Sequence, residues 1–78
     1  MSDDLFARFA KTAADSLSKP VEAITMDASF ADDLDADSLD LVQMVMDLEE
    51  EFDITVDEEE LEGVTTVKAA FELVSAKL

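Results

Sequence analysis

Residues 37–52, DSLDLVQMVMDLEEEF, carry the clearest local signal in the chain. Asp37 is a good helix N-cap, Asp40 follows three residues later in the first turn, and apolar residues then recur as far as Phe52. At about 100° per residue, Leu41, Met44, Val45, Leu48 and Phe52 lie within roughly 60° of one direction, an ordinary core-facing stripe. Leu39, Val42 and Met46 share a second direction about 135° away, flanked by Gln43, Glu49 and Glu50. Either this helix is covered on two sides, or the second strip stays open as a docking surface. The ring of polar and acidic side chains favours docking.

Three further helices are expected around this one. The first begins near Ser2, with Asp3 and Asp4 at the positive end of its dipole, and sets Leu5, Phe9, Ala13 and Leu17 on one face at steps of four. It should end before Lys19-Pro20. Over about residues 18–36, Val21, Ile24, Met26, Phe30 and Leu34 are too irregularly spaced for a single stripe, which predicts a long loop pinned by a few buried side chains. Asp57 with Glu60 has the form of a capping box, and Gly63 can end a short third helix of about two turns by taking the left-handed conformation. The last helix starts at Thr65-Thr66 and aligns Val67, Ala70, Phe71, Val74 and Leu78. One Gly and one Pro leave few places for sheet turns. The expected fold class is all-α: a small four-helix bundle with a long first loop and a short third helix, one domain over residues 1–78.

Charge narrows the function. The 78 residues carry 21 acids against 5 bases, a net charge of −16, and 17 of the acids lie between Lys19 and Lys68, where no base occurs. Such a surface repels a phosphate backbone, so nucleic acid is excluded, and it suits proteins that present Lys and Arg. Repulsion of this density also opposes the compact state. Cys and His are both zero, which removes thiolate nucleophiles, disulfides, the usual zinc sites and the neutral-pH proton shuttle. A domain this small has little room for a deep catalytic cavity, so an enzyme is not expected. No apolar run approaches a membrane span and MSDDLFARF lacks the features of a secretory signal, which leads us to expect a cytoplasmic monomer.

The densest cluster of short acids, ADDLDADSLD at residues 31–40, runs into the start of the second helix. Asp33, Asp35 and Asp37 fit the first three ligand positions of a calcium loop, but Ser38 stands where Gly is required and Met44 where a bidentate Glu is required. The EF-hand reading fails on both, which leaves only weak, nonspecific divalent binding through charge. Ser38 is the other candidate, exposed just after the cap where a helix N-terminus favours a phosphate. Taken alone it is an ordinary first-turn serine. With no His in the chain and no Lys near it in sequence, its hydroxyl has no local base, so any reaction there needs another enzyme.

Asp37-Ser38-Leu39 within DADSLD, VMDLEEEF from Val45 to Phe52, DEEE at 57–60 and TTV at 65–67 together resemble the acyl carrier protein family over nearly the whole length. The resemblance implies that Ser38, between Asp37 and Leu39, receives 4′-phosphopantetheine from coenzyme A through a Mg²⁺-dependent phosphopantetheinyl transferase. The arm's thiol then carries acyl chains as thioesters, which supplies what a chain without Cys lacks. The resemblance also implies a recognition face made by Asp40, Val42, Gln43, Met46, Glu49 and Glu50. Its partners would be ketosynthases, acyltransferases, reductases and dehydratases, met through their basic patches. An acyl chain would lie between the helices among Leu41, Met44, Val45, Leu48, Phe52, Leu61 and Phe71. DADSLD with EEEF looks most like the carriers of dissociated fatty acid synthesis; a polyketide or other specialised carrier, and an unmodified acidic interaction module, are the alternatives. Many relatives have Gly at the position of Asp35, Thr at Leu41, Glu at Gln43 and Pro at Asp57.

Overall fold

Four α-helices follow one another in the computed structural model, which describes residues 2–78 and side chains from Asp4 onward. They are α1 (Ser2–Leu17), α2 (Ser38–Phe52), α3 (Glu58–Leu61) and α4 (Val67–Ala76), with a 3₁₀ turn at Val21–Ala23 in the long first loop. Among the described residues there is no strand, and the expected all-α bundle is what forms. The dipole role expected of Asp3 lies outside the described side chains.

The core is built from one stripe of each long helix. From α1 it takes Phe9, Ala10, Ala13 and Ala14, a wider face than the four-residue step predicts; α2 gives Met44, Val45, Leu48 and Phe52, and α4 gives Val67, Ala70 and Val74. Helix α1 packs chiefly on α2. Phe6, Phe9 and Phe71 form an aromatic cluster joining α1 to α4, with ring centroids 5.1 to 6.0 Å apart and Phe71 edge-on to both partners. Leu78 does not continue the α4 stripe: the helix ends at Ala76 and Leu78 is 61% exposed.

The long loop is pinned as its apolar residues suggest, but by fewer of them. Ile24, Phe30 and Leu34 are buried, joined by Ala28 and Ala36, whereas Val21 and Met26 face solvent. Backbone bonds then staple this loop to the start of α4. Phe30 N–H donates to Thr65 O (3.1 Å) and Val67 N–H to Ala28 O (3.0 Å), around an isolated antiparallel bridge between Ser29 and Thr66.

Left-handed backbone occurs at Ser18, Asp35 and Asp53, with φ of 57°, 51° and 55°. Two of these end helices. Lys19 N–H reaches Ala14 O (3.0 Å) past Ser18, and Ile54 N–H reaches Glu49 O (3.1 Å) past Asp53; both close the last turn as a Schellman motif does. Gly63, expected to play that role, does not: no glycine has positive φ, and α3 runs for one turn before Glu62 stops it in right-handed geometry.

Arg8 ties the middle of α1 to the C-terminal end of α2. Its Nε and Nη2 donate to Glu51 Oε2 (3.1 and 2.8 Å), Nη2 also donates to the Glu51 carbonyl (3.1 Å), and the guanidinium lies 4.8 Å from the Phe52 ring centroid. The cation thus sits at the negative end of the α2 dipole as well as on a carboxylate. Both side chains are about half exposed, so solvent screens most of the attraction. We expect Arg8→Ala to lower the unfolding free energy by about 1 kcal/mol. Arg8→Lys should recover little of this, because an ammonium lacks the fork and the flat face. Urea unfolding at low ionic strength measures both.

Candidate functional site

The start of α2 is held by reciprocal bonds. Asp40 N–H donates to Asp37 Oδ1 (3.0 Å), and Asp37 N–H donates back to Asp40 Oδ2 (3.2 Å). This is the expected cap, strengthened by the acid's return bond, with both carboxylates at the positive end of the dipole. Before it, the chain turns tightly. Ser29 N–H donates to Asp33 Oδ2 (2.7 Å), Asp33 and Leu34 N–H donate to Ser29 O (2.8 and 3.1 Å), and Ala36 N–H donates to Phe30 O (2.7 Å). Asp35 passes through this turn in left-handed conformation. Three acids of this segment, Asp33, Asp37 and Asp40, therefore serve the backbone. Among the described residues no three acids are arranged to hold a metal ion.

Ser38 is the first residue of α2 and is exposed, so its hydroxyl stands at the rim of the bundle. Two open hollows meet there. One, of about 270 Å³, lies under α3 and is lined by Ser38, Leu41, Val42, Glu58, Leu61 and Glu62. The other, of about 500 Å³, lies under the long loop, with Phe30, Ala36, Val64 and Thr65 among its walls, and it too reaches Ser38 and Leu41. No feature of the sequence pattern points to this second hollow, because its walls come from irregular backbone on both sides of α2. A third cleft, of about 390 Å³ between α1 and α2, is acidic and does not reach Ser38; Asp15, Asp47, Glu50 and Glu51 line it with Thr12.

The residues expected to surround an acyl chain separate into two groups. Leu41 and Leu61 are half-buried and line the hollows; Met44, Val45, Leu48 and Phe52 are closed core, and Phe71 belongs to the aromatic cluster with α1. The second strip of α2 is open to solvent: Leu39 is 79% exposed, Met46 53% and Val42 40%. Gln43 beside it donates from Nε2 to Asp47 Oδ1 (3.2 Å), and Glu50 is exposed. Glu49 is turned the other way. Its Oε2 accepts the Val56 N–H (2.9 Å) and secures the connection from α2 to α3.

Helix α3 has no fully buried residue and depends on polar ties. Glu60 accepts the Asp57 N–H (3.1 Å) in the capping box predicted there and pairs with Lys77 Nζ at 3.1 Å. The Asp57 N–H, and after it Lys77, hold the Glu60 carboxyl below its usual range. Because the folded value is lowered, the tie is present above the ordinary glutamate range and is lost as pH falls through that lowered value.

A small helical bundle that presents an exposed serine at a capped helix start, beside apolar hollows, has the layout of a carrier domain. A family model described as the phosphopantetheine attachment site matches residues 7–74. An acyl carrier protein of Petrotoga mobilis (strain DSM 10674 / SJ95) is 49% identical over 76 residues, covering 97% of this chain and 89% of that protein. The chain belongs to the phosphopantetheine-bearing family of acyl carrier proteins. It is a carrier of acyl groups, with phosphopantetheine as its cofactor.

Asp35 holds a left-handed φ, a backbone that glycine adopts without strain. Asp35→Gly also removes one charge from a crowded segment. We expect the substitution to raise the unfolding free energy by about 0.5–1 kcal/mol, from relieved backbone strain less the added freedom of the unfolded chain. Thermal unfolding of the two proteins, compared at low and at moderate salt, checks this and separates the charge contribution.

Proposed function

We propose that Ser38 bears the 4′-phosphopantetheine and that this chain shuttles acyl groups among the separate enzymes of fatty acid synthesis. The observation that carries the reading is the position of Ser38: exposed, at a capped helix start, where both hollows open. The bound group supplies a thiol that holds acyl chains as thioesters. Asp37 and Asp40 fix where α2 begins, and so fix the hydroxyl in space. Leu39, the neighbour on the other side, projects its side chain into solvent. His is absent and the neighbouring carboxylates of Asp37 and Asp40 are each occupied by a backbone N–H, so Ser38 has no base poised beside it and a phosphopantetheinyl transferase must supply one. The phosphate then gains from the positive end of the α2 dipole.

The open strip of Leu39, Val42 and Met46, with Asp40, Gln43 and Glu50 around it, is the face we assign to the transferase and to ketosynthases, acyltransferases, reductases and dehydratases. An apolar centre with an acidic rim fits basic patches, and long-range attraction gives fast, salt-sensitive encounters that suit a shuttle. Glu49 contributes by placing α3 instead of meeting partners directly. No helix among the described residues is long and apolar enough to cross a membrane, and we assign the shuttle to the cytoplasm. The fatty acid branch, as opposed to polyketide or other specialised chains, rests on DADSLD and EEEF.

Incubation with coenzyme A, Mg²⁺ and a broad-specificity transferase should add the mass of one phosphopantetheine to the wild type and none to Ser38→Ala. Addition to both would move the attachment elsewhere. Met46→Glu should slow loading and transfer by partner enzymes at least several-fold while leaving the helical circular dichroism and melting temperature near those of the wild type. Unfolding on that substitution would count Met46 as core.

A further inference from the structure

The two hollows beside Ser38 share only two lining residues, Ser38 itself and Leu41. Leu41 lies three positions along α2 from Ser38, on the same side of the helix and one turn deeper. It is half-buried and packs against the core, and behind it Met44 is fully buried and Val45 nearly so. A flexible chain running inward from Ser38 therefore meets the Leu41 side chain first, whichever way it turns. On one side is α3, represented by Leu61; on the other is the loop wall of Phe30, Ala36 and Val64. Neither room continues past Leu41 into the close-packed interior.

We propose that Leu41 is a specificity-determining residue, a partition that keeps the two hollows apart and thereby sets the length of acyl chain this protein shelters. The inference rests on Ser38 as the point of attachment. The occupant follows from continuity: both hollows open at that residue, and a saturated chain is the ligand that gains most from their apolar walls. Removing the partition would join the hollow under α3 to the one under the loop, about 270 and about 500 Å³.

The test loads wild type, Leu41→Ala and Leu41→Phe with saturated acyl-phosphopantetheine from butyryl to palmitoyl, confirms each product by intact mass, and records the urea midpoint of every species. In the wild type the midpoint should rise with chain length while added carbons are buried, then level off. Leu41→Ala should shift the levelling point to longer chains by at least about three carbons, the number removed from the side chain, and Leu41→Phe should shift it to shorter ones. If Leu41→Ala does not fold, Leu41→Val gives the same test with a shift of about one carbon. A levelling point common to all variants, with midpoints merely offset, overturns the partition and leaves Ser38 untouched. Failure of the wild type to gain phosphopantetheine overturns the attachment reading, and the partition with it.

Discussion

The 15-residue helix α2 spreads apolar side chains over so wide an arc that a bundle only 18 Å across its short axis cannot cover them all. Met44, Val45, Leu48 and Phe52 close into one core with residues of α1 and α4, and the bundle has no further layer for Leu39, Val42 and Met46. The stability of the fold and the reach of its surface thus draw on one cylinder, from stripes that do not overlap. Where the stripes part, at the first turn, the capped backbone places Ser38 between them.

Charge sets the other constraint. With 21 acids and 5 bases, few attractions are available, and the two ion pairs among the described residues tie different pairs of elements. Arg8 holds α1 to the close of α2, and Lys77 holds the single turn of α3 to the end of α4. Several acids that look merely repulsive in the sequence are occupied with backbone N–H groups instead: Asp33 with Ser29, Asp37 and Asp40 with each other, Glu49 with Val56, and Glu60 with Asp57. Each such bond satisfies a backbone donor and recovers part of what crowding costs.

Regular structure was legible wherever a period or a cap declared it. The α2 stripe, the Asp37 cap with Asp40 in its first turn, the Asp57–Glu60 box and the threonine start of α4 could all be read in advance, because each is a rule about residues three or four apart. The errors lie where a single residue must be judged without a period. Gly63 looked like a helix stop, yet the left-handed positions went to Ser18, Asp35 and Asp53, whose short polar side chains tolerate that backbone and whose neighbours require it. Leu78 continued a stripe on paper after the helix had ended. At the candidate site, the place of Ser38 at an exposed, capped helix start was legible, while the hollow beneath the loop was not, since it arises from residues far apart in sequence that meet only in the folded chain. The aromatic cluster likewise needed Phe6, which stands one place off the predicted face.

The antiparallel bridge between Ser29 and Thr66 divides the chain in a way that the list of helices conceals. Residues 30–65, which hold α2 and α3, leave and return at the same point, where Phe30 bonds Thr65 and Ala28 bonds Val67. They form an excursion on a closed stalk, and α1 and α4 are what the stalk stands on. Native-state opening therefore has a natural fault line at this clasp. The single turn of α3, with the fewest buried groups, can detach in a shallow fluctuation, while separation of α2 requires parting its whole contact with α1. A graded hierarchy of this kind lets one wall beside Ser38 yield repeatedly without putting the integrity of the rest at risk.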